Sequence, residues 1–330
     1  MKKSSKNLRY GIIGFGRFAE KAIVPAIQAA SHSELVAIQK RSLDAAREKA
    51  AGLSIPLAFD DARSLVVHPD VDAVFIVSAN SCHCPETLLA AEAGKHVIVE
   101  KPMAMNCREA EMMIDACRKN GVKLMVGHMV RLSPVVVRIK EIVESGELGR
   151  VVLAKADFVY DARLSHRGWL LDRKIAGGGP VFDIGVHCLD TLRFVLQDEV
   201  VSVKSELDPR PDLQQTESTA LLTLRFSRGS IGSIFCSFST SIRRSYLEII
   251  GTEGTVAAEG FTHSNCRGVL TVQKGKGDRT SERRKEKISV PDLYREEVTH
   301  FSECVRNDRE PVLSGLNGLQ NQRVLDAVMT

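Results

Sequence analysis

The first 128 residues alternate short apolar runs with longer stretches of helical periodicity, and this alternation limits the possible folds more than any other feature. The runs LRYGIIG, ELVAIQK, VDAVFIV, HVIVE and VKLMVG predict strands. Because they are apolar throughout, they are typical of strands buried on both faces. The stretches FAEKAIVPAIQAA, LDAAREKAAG, PETLLAAEAG and REAEMMIDACRKNG predict the helices between them. The pattern therefore predicts an α/β domain with a doubly wound parallel sheet.

The pattern of apolar and polar residues changes after Gly127. PVVVRIKEIVESGELG predicts one helix, and VVLAKADFVY begins a strand. From about residue 199, runs of alternating polarity such as STALLTLRF, GSIGSIFCSFS and SYLEIIGTEGTVAA predict an antiparallel sheet with glycines in its hairpins. LYREEVTHFSECVRND and LNGLQNQRVLDAVM predict two closing helices. We expect a first domain over 1–128 and a second over 129–330, the latter of the α+β class.

A glycine-rich loop follows the first predicted strand and opens the first helix. Its sequence, G-F-G-R-F-A from residue 14, matches the pattern G-x-G-x-x-A. The first glycine allows a tight turn, the second allows the backbone to approach a pyrophosphate, and the alanine allows close packing of helix on strand. A plain glycine-rich turn is the alternative, and the strand-turn-helix context favours a dinucleotide. The predicted contacts are Gly14, Phe15, Gly16, Arg17 and Phe18.

The end of the second predicted strand is basic. A dinucleotide site for NAD usually has an acidic residue here, about 20 residues after the glycines, to bind the ribose 2′-hydroxyl. This chain has Lys40, Arg41 and Ser42 instead. The alternative is that these residues are the solvated start of the next helix. Because a 2′-phosphate would be attracted to this basic edge, we predict NADP as the cofactor, with NAD also accepted.

Two short motifs carry candidate catalytic groups. Lys101 ends the fifth strand and is followed by Pro102, which restricts the lysine to extended conformations. Lys101 is either a solubilising charge at a strand end or an ammonium group directed into a cleft. In GGGPVFDIGVHCLD, Asp183 and His187 lie four residues apart on one helix face. The helix N-terminus favours a carboxylate and a neutral imidazole, which suits proton transfer near pH 7, although a buried structural histidine is the alternative.

Together these motifs resemble the Gfo/Idh/MocA family of nicotinamide-dependent oxidoreductases. The resemblance rests on GFGRFA, VEKPMA, GHMVRLSP and GGGPVFDIGVH, and it covers nearly the whole chain. It implies an N-terminal Rossmann domain and a C-terminal domain built on a large, mostly antiparallel open sheet. It also implies an active site in the cleft between the two domains.

The resemblance implies roles for individual residues. Lys101 would polarise the reacting oxygen, His187 would give or take the proton, and Asp183 would orient the substrate and the histidine. The family pattern also allows a cis peptide between Lys101 and Pro102. This sequence departs from the family pattern after the fourth strand, where Ser-Ala-Asn replaces a loop that often has proline before asparagine. Further cofactor contacts are expected at Ser78, Ala79, Asn80, His83, Glu100, Lys101 and Arg131. Further substrate contacts are expected at His128, Arg163 and Trp169.

The function implied is hydride transfer between a nicotinamide cofactor and a sugar, polyol or inositol-like alcohol or carbonyl. One alternative is a reductase of non-sugar carbonyls or trans-dihydrodiols, although relatives of that kind often carry tyrosine where this chain has His187. Another is a dinucleotide-binding regulator without catalysis, which would not need Lys101, Asp183 and His187 together.

Composition argues against several other classes. The net charge is +4, and the segment 274–287 accounts for all of it with seven basic and three acidic residues. With one Trp and four Tyr there is little aromatic surface for base stacking, so we interpret this segment as a solvated loop and expect no nucleic-acid partner. Eight scattered cysteines without zinc-site spacing predict a cytoplasmic protein with reduced thiols and no metal. No apolar run is long enough for a membrane span. Resemblance and an uncovered sheet face predict a homodimer or homotetramer.

Overall fold

The computed structural model describes residues 7–162, 167–212, 214–276 and 279–330. Its contacts divide the chain into two compact units. The first unit contains the chain up to Gly127 together with Tyr294–Gln322, and the second contains His128–Leu293 with Arg323–Thr330. The sequence predicted a single domain boundary near residue 128. The structure differs from this prediction in the C-terminal segment, because Tyr294–Gln322 belong to the first unit.

The first unit contains a six-stranded parallel sheet in the order β3-β2-β1-β4-β5-β6. The order reverses between β1 and β4, which is the point where α/β sheets of this kind bind their ligands. The prediction of a doubly wound parallel sheet is confirmed, with the short strand β3 as an addition. The strands are β1 Leu8–Ile13, β2 Ser33–Gln39, β3 Leu57–Phe59, β4 Ala73–Ile76, β5 His96–Val99 and β6 Leu124–Val126.

Helices connect these strands. After β1 the chain forms a π-helical stretch, Ala19–Ile23, before the first α-helix begins. Three helices begin with a side-chain cap, in which Ser42, Asp61 and Asn106 each accept a backbone N–H three residues further on. The helices are α1 Val24–Ala29, α2 Leu43–Gly52, α3 Ala62–Val67, α4 Asn80–Glu92 and α5 Cys107–Lys119.

The second unit contains an eight-stranded sheet in the order β14-β13-β12-β11-β7-β10-β9-β8. All neighbouring strands are antiparallel except the parallel pair β7 and β10. This confirms the prediction of a large, mostly antiparallel sheet. The strands are β7 Val151–Asp161, β8 Val200–Asp208, β9 Thr219–Phe226, β10 Ile231–Ser237, β11 Ser239–Gly251, β12 Gly254–Glu259, β13 Cys266–Lys276 and β14 Arg279–Val290.

The interpretation of the basic segment 274–287 as a loop is wrong. Most of it lies in β13 and β14, which pair as an antiparallel hairpin at the edge of the sheet. Arg284 forms an ion pair with Glu286 at 3.0 Å and another with Glu147. Charged side chains on an edge strand hinder pairing with a strand of another molecule, which explains the composition of this hairpin.

The helix that carries Asp183 and His187 packs against β7 and β10 on one face of the second sheet. It begins as a π-helical turn, Val181–Gly185, and every residue from Val181 to Leu192 is buried. Ala156 of β7 and Ile234 of β10 are fully buried on that face of the sheet. The helices of this unit are α6 Pro134–Glu144, α7 Arg173–Ala176 and α8 Val186–Leu196.

The last two helices are α9 Leu293–Arg306 and α10 Gly315–Met329, and most of their residues belong to the first unit. Tyr10 in β1 and Ser302 in α9 share a hydrogen bond of 2.8 Å. The N–H of Val126 in β6 donates to the carbonyl of Leu313 at 2.9 Å. The C-terminal segment thus completes the core of the first unit. None of the helices in the described part of the chain is long and apolar enough to span a bilayer.

Candidate active site

The glycine-rich loop lies at the switch point of the first sheet. Gly14 has φ of +81°, and a Cβ at this position would lie 2.6 Å from Cα of Ser78, the second residue after β4. Only glycine fits here, because both the backbone angle and the close approach exclude a side chain. At Gly16 the nearest atom to such a Cβ would be 3.8 Å away. The loop therefore offers an open backbone surface where a pyrophosphate would bind.

Gln39, at the end of β2, holds this loop in place. Its Oε1 accepts the N–H of Gly14 at 3.0 Å, and its carbonyl accepts the N–H of Phe15 at 2.9 Å. Its Nε2 donates to the carbonyl of Asp60 at 2.9 Å. Gln39 was not predicted as a site residue, because an amide at a strand end matches no motif.

The three residues predicted at the adenosine ribose differ in their surroundings. Lys40 is half-buried, and its Nζ donates to the carbonyl of Phe15 at 3.2 Å and lies 5.5 Å from the centroid of that ring. Arg41 is exposed. Ser42 caps α2 by accepting the N–H of Ala45 at 3.4 Å. Lys40 thus supports the glycine loop itself, whereas the guanidinium of Arg41 is accessible to a ligand.

The exposed side of the loop is aromatic and basic. Arg17 is exposed, as is Phe18, whose ring meets Tyr294 of α9 edge to face with centroids 5.5 Å apart. The C-terminal helix α9 therefore contributes to the surroundings of the loop within the first unit.

The loop after β4 is tied to the loop after β5 by His83. Nδ1 of His83 is 2.8 Å from the carbonyl of Pro102, and Nε2 is 3.2 Å from the carbonyl of Ser78. Burial lowers the pKa of His83 to about 4, so the imidazole is neutral at pH 7. Ala79 precedes α4, and the buried Asn80 is its first residue. His83 thus positions the segment that carries the candidate lysine.

Ser78 also binds a carboxyl group. Its hydroxyl donates to Oε2 of Glu86 at 2.5 Å. Burial raises the pKa of Glu86 to about 7, although the hydrogen bond from Ser78 acts in the opposite direction. A titratable group is therefore in direct contact with the loop against which Gly14 packs.

Lys101 follows β5 as predicted, and the peptide between Lys101 and Pro102 is cis. The side chain of Lys101 is half-buried, and its backbone N–H donates to Oε2 of Glu100 at 3.3 Å. Glu297 of α9 is fully buried in the same unit, and neither of its carboxyl oxygens has a hydrogen-bond partner among the described residues. Burial, reinforced by the charge of Glu100, raises the pKa of Glu297 well above its usual value. Burial therefore favours the protonated form of Glu297.

In the second unit, Glu217 holds the triple-glycine loop. Glu217 is fully buried, and its Oε1 accepts the N–H of Gly179 at 2.9 Å and that of Val181 at 3.1 Å. A Cβ at position 179 would lie 2.0 Å from the carbonyl oxygen of Glu217. Position 179 thus requires glycine because of this close approach. Glu217 is a second residue that was not predicted as a site residue.

Asp183 is almost fully buried and accepts hydrogen bonds from Arg167 and Tyr160. The two Nη atoms of Arg167 donate to Oδ1 at 3.0 Å and to Oδ2 at 2.9 Å. The hydroxyl of Tyr160 donates to Oδ2 at 2.8 Å, and Nη2 of Arg167 also donates to that hydroxyl at 3.2 Å. Tyr160 was not predicted from the sequence, and Arg167 was expected only as part of the segment 162–173 on the substrate side.

His187 lies among aromatic rings of the same unit. Its ring centroid is 6.2 Å from that of Phe158 and 6.5 Å from that of His128, whose ring is nearly perpendicular to it. Nδ1 of His128 is 4.0 Å from Oδ2 of Asp190. The structure thus brings two of the predicted site residues, His128 and His187, together.

Arg131, predicted as a cofactor contact, is buried and forms a fork with Asp190. Its Nε and Nη2 donate to the two carboxyl oxygens at 2.6 and 2.8 Å. Burial alone would raise the pKa of Asp190, but Arg131 and His128 lower it below its usual range. Trp169 is half-buried in the short 3₁₀ helix Gly168–Leu171. Arg163 lies outside the described residues.

Two family models match the chain. The oxidoreductase family with an NAD-binding Rossmann fold matches residues 8–128, and the GFO/IDH/MocA C-terminal domain matches residues 136–257. The chain belongs to the Gfo/Idh/MocA oxidoreductase family. The predicted family and the nicotinamide cofactor are thus confirmed, and the roles of single residues remain predictions.

Members of the Gfo/Idh/MocA family resemble this chain over most of its length. 1,5-Anhydro-D-fructose reductase of Ensifer adhaerens is 29% identical over 94% of this chain and 92% of its own. Trans-1,2-dihydrobenzene-1,2-diol dehydrogenase of Mus musculus is 30% identical over 75% of this chain and 73% of its own. Among solved structures, the aldose-aldose oxidoreductase of Caulobacter crescentus in complex with glycerol is 29% identical, with a TM-score of 0.85, over 98% of this chain and 96% of its own.

The first unit of this Gfo/Idh/MocA protein fits a nicotinamide dinucleotide. The position of Gly14 against Ser78 and the open backbone at Gly16 leave room for a pyrophosphate at the start of the helical stretch. Arg41 is exposed at the end of the strand that carries Gln39, where the adenosine ribose is bound in this fold. Among the described residues, no group of three or more His, Cys, Asp or Glu side chains is arranged to hold a metal ion.

Proposed function

We propose that this protein is a nicotinamide-dependent oxidoreductase that interconverts an alcohol and a carbonyl group of a sugar, polyol or inositol-like compound. The observation that carries the proposal is Asp183, held by Arg167 one helical turn before His187, in a chain whose family binds NAD. The similarity to an anhydro-D-fructose reductase and to an aldose-aldose oxidoreductase supports a carbohydrate as the substrate.

Each candidate residue has a role in this reaction. When bound, the nicotinamide ring supplies or accepts the hydride. In the oxidation direction, the alcohol carbon loses the hydride, and the hydroxyl proton passes to His187. The ammonium of Lys101 stabilises the negative charge that develops on the reacting oxygen. Asp183 accepts hydrogen bonds from the hydroxyl groups of the substrate and so orients it.

We propose NADP as the preferred cofactor, with NAD also accepted. No acidic residue stands between Leu35 and Leu43, so nothing in that segment repels a 2′-phosphate. The exposed guanidinium of Arg41 supplies a planar fork that matches a phosphate, while Lys40 adds positive charge from its position on the loop.

We further propose that the protein is a cytoplasmic homodimer or homotetramer that assembles through the outer face of the second sheet. Leu221 of β9 is exposed on that face and pairs in register with Phe235 of β10, which is only partly buried. Apolar side chains on an uncovered sheet face favour a partner. The eight cysteines are free thiols, as expected in a reducing compartment, and cell fractionation tests the location.

A substrate screen tests the proposed reaction. The purified protein is mixed with NADP or NAD and a panel of aldoses, polyols, inositols and a trans-dihydrodiol, and with NADPH and anhydroketoses. Absorbance of the reduced nicotinamide reports turnover. We expect turnover of at least one sugar or polyol. Turnover of the dihydrodiol alone would assign the activity of the Mus musculus relative, and dinucleotide binding without any turnover would indicate a regulator.

A further inference from the structure

Arg167 and Tyr160 surround the candidate catalytic carboxylate on two sides. Arg167 grips both oxygens of Asp183 with its two Nη atoms, at 3.0 and 2.9 Å. Tyr160 approaches from β7 and donates its hydroxyl to Oδ2 at 2.8 Å. The fork geometry and the third donor fix both the position and the orientation of the carboxylate plane.

The electrostatics of this network favour one protonation state. The charge of Asp183 raises the pKa of Arg167, and the same attraction favours the ionised carboxylate. Burial, together with the charge of Asp183, raises the pKa of Tyr160, so its hydroxyl remains a donor at neutral pH. A proton taken up by Asp183 would weaken two charge-assisted contacts with Arg167, which makes this carboxylate a poor base.

We propose that Arg167 and Tyr160 are positioning residues that keep Asp183 ionised and aligned, so that it binds hydroxyl donors of the substrate while proton transfer falls to His187 alone. This inference rests on the proposed function, because it assigns Asp183 a place in the same reaction. It predicts that the acidic limb of the pH–rate profile depends on Arg167, although this residue exchanges no proton.

Other titratable groups of the second unit lie near Asp183. His187 lies four residues further along the same helix, and Cys236 of β10 packs against Gly185 of that helix. His128 stands 6.5 Å from His187 between ring centroids and is near the buried Asp190. Burial raises the pKa of the Cys236 thiol far above neutrality, so this thiol stays protonated across the pH range of the test.

The test compares Arg167→Gln, Arg167→Lys and Tyr160→Phe with the wild type, using the substrate found in the screen. Arg173→Gln is the matched control, because Arg173 is in the same unit and its Nη1 donates to a backbone carbonyl, that of Asp212, at 2.9 Å. Arg167→Gln should lower kcat/KM at pH 7 by about 10- to 10²-fold, the scale of lost charged hydrogen bonds. The acidic limb of the pH–rate profile of this variant should shift to higher pH by about one unit, because the carboxylate of Asp183 loses its counter-charge.

The other two variants separate charge from geometry. Arg167→Lys should return the acidic limb toward that of the wild type but recover only part of kcat/KM, because an ammonium lacks the fork. Tyr160→Phe should lower kcat/KM by about tenfold through the loss of one donor. An unchanged limb and less than a twofold loss in Arg167→Gln would overturn the proposal.

A double-mutant cycle on stability gives a readout that needs no substrate. If Arg167 holds the ionised Asp183, the double variant Arg167→Gln/Asp183→Asn should have nearly the same free energy of unfolding as Asp183→Asn alone. The loss of Arg167 then has no carboxylate left to affect. Additive losses would overturn the proposed coupling even in a fully active enzyme. Strong coupling in a protein that turns over no sugar or polyol would instead support the proposed ion pair between Arg167 and Asp183 and refute the proposed function.

Discussion

Glu217 holds Gly179 by two contacts at once: its carboxylate accepts the N–H of Gly179 at 2.9 Å, and its own carbonyl would lie 2.0 Å from any Cβ at that position. A buried acid thus fixes the start of the helix turn that carries Asp183. The close approach leaves no room for even a methyl group, so the loop tolerates only glycine there.

Gly179→Ala should therefore damage both stability and activity. The added methyl would force the loop away from Glu217, and such overpacking costs about 1–3 kcal/mol. The loss of turnover should exceed what the loss of folded protein explains, because the displaced loop leads directly to Asp183. Urea unfolding and steady-state kinetics measure the two effects. Gly52→Ala is the control, because a Cβ there meets nothing within 4 Å, and it should leave both quantities nearly unchanged.

Lys101→Ala should separate chemistry from cofactor binding. Removal of a positioned electrostatic group should lower kcat by roughly 10²-fold or more. The dissociation constant for the dinucleotide should change little, because Gln39 holds the glycine loop and is kept in this variant. Fluorescence titration and turnover of the substrate measure the two quantities. Wild-type turnover in Lys101→Ala would refute the assignment of this lysine.

Arg41→Ala should selectively weaken the binding of NADPH. The loss of one charge-assisted contact to the 2′-phosphate should cost about tenfold in affinity, with NADH nearly unaffected. Lys40→Met should weaken both cofactors, because Lys40 also binds the carbonyl of Phe15. Isothermal titration of both cofactors decides between these outcomes, with the exposed Arg47→Ala as control. A wild type that prefers NADH, with the same ratio in Arg41→Ala, would show that this basic edge is only a solvated helix start.

Glu86 should make the protein less stable as the pH rises. Its pKa is raised from 4.5 to about 7, so between these values the folded chain holds a proton that the unfolded chain has released. Stability is thus fully present at low pH and decreases as the pH rises, by up to about 1.4 kcal/mol per pH unit. Relative to Glu86→Gln, the wild type should unfold more easily at about pH 8 than at about pH 5. A constant difference between the two proteins would contradict the raised pKa.

Leu221→Arg should disrupt the proposed assembly. A charge in the middle of an apolar contact face is costly to bury, so the oligomer should dissociate without loss of the fold. Static light scattering at micromolar concentration should show an oligomer for the wild type and smaller species for the variant. Val67→Arg, on an exposed apolar position of the first unit, is the control. A wild type that scatters only as a monomer would refute the proposal.

The strands predicted from the sequence were those with continuous apolar runs, because burial on both faces leaves a clear pattern. The strand at Leu57–Phe59 was missed because it is three residues long and only half-buried at the sheet edge. The hairpin at 266–290 was missed for a different reason. Its charged side chains protect an edge strand, and in a linear sequence such a pattern is indistinguishable from that of a solvated loop.

The sequence likewise predicted only part of the candidate site. Lys101, Asp183 and His187 were found because each lies in a contiguous motif. The residues that hold them were not found, because they approach from distant positions in the sequence. Glu217 lies 38 residues from Gly179, and Tyr160 lies 23 residues from Asp183. A single sequence carries no signal for such pairs, since a buried acid or tyrosine is common in any strand.

The helix α9 also bears on the order in which the protein matures on the ribosome. Val298 and Phe301 are fully buried in the unit whose sheet is made by the first 127 residues, and Ser302 bonds to Tyr10 in the first strand. Synthesis proceeds from the N-terminus, so this sheet emerges early and nearly the entire chain must be made before α9 leaves the exit tunnel. The apolar side chains of the first unit that α9 covers are therefore without that cover for most of translation.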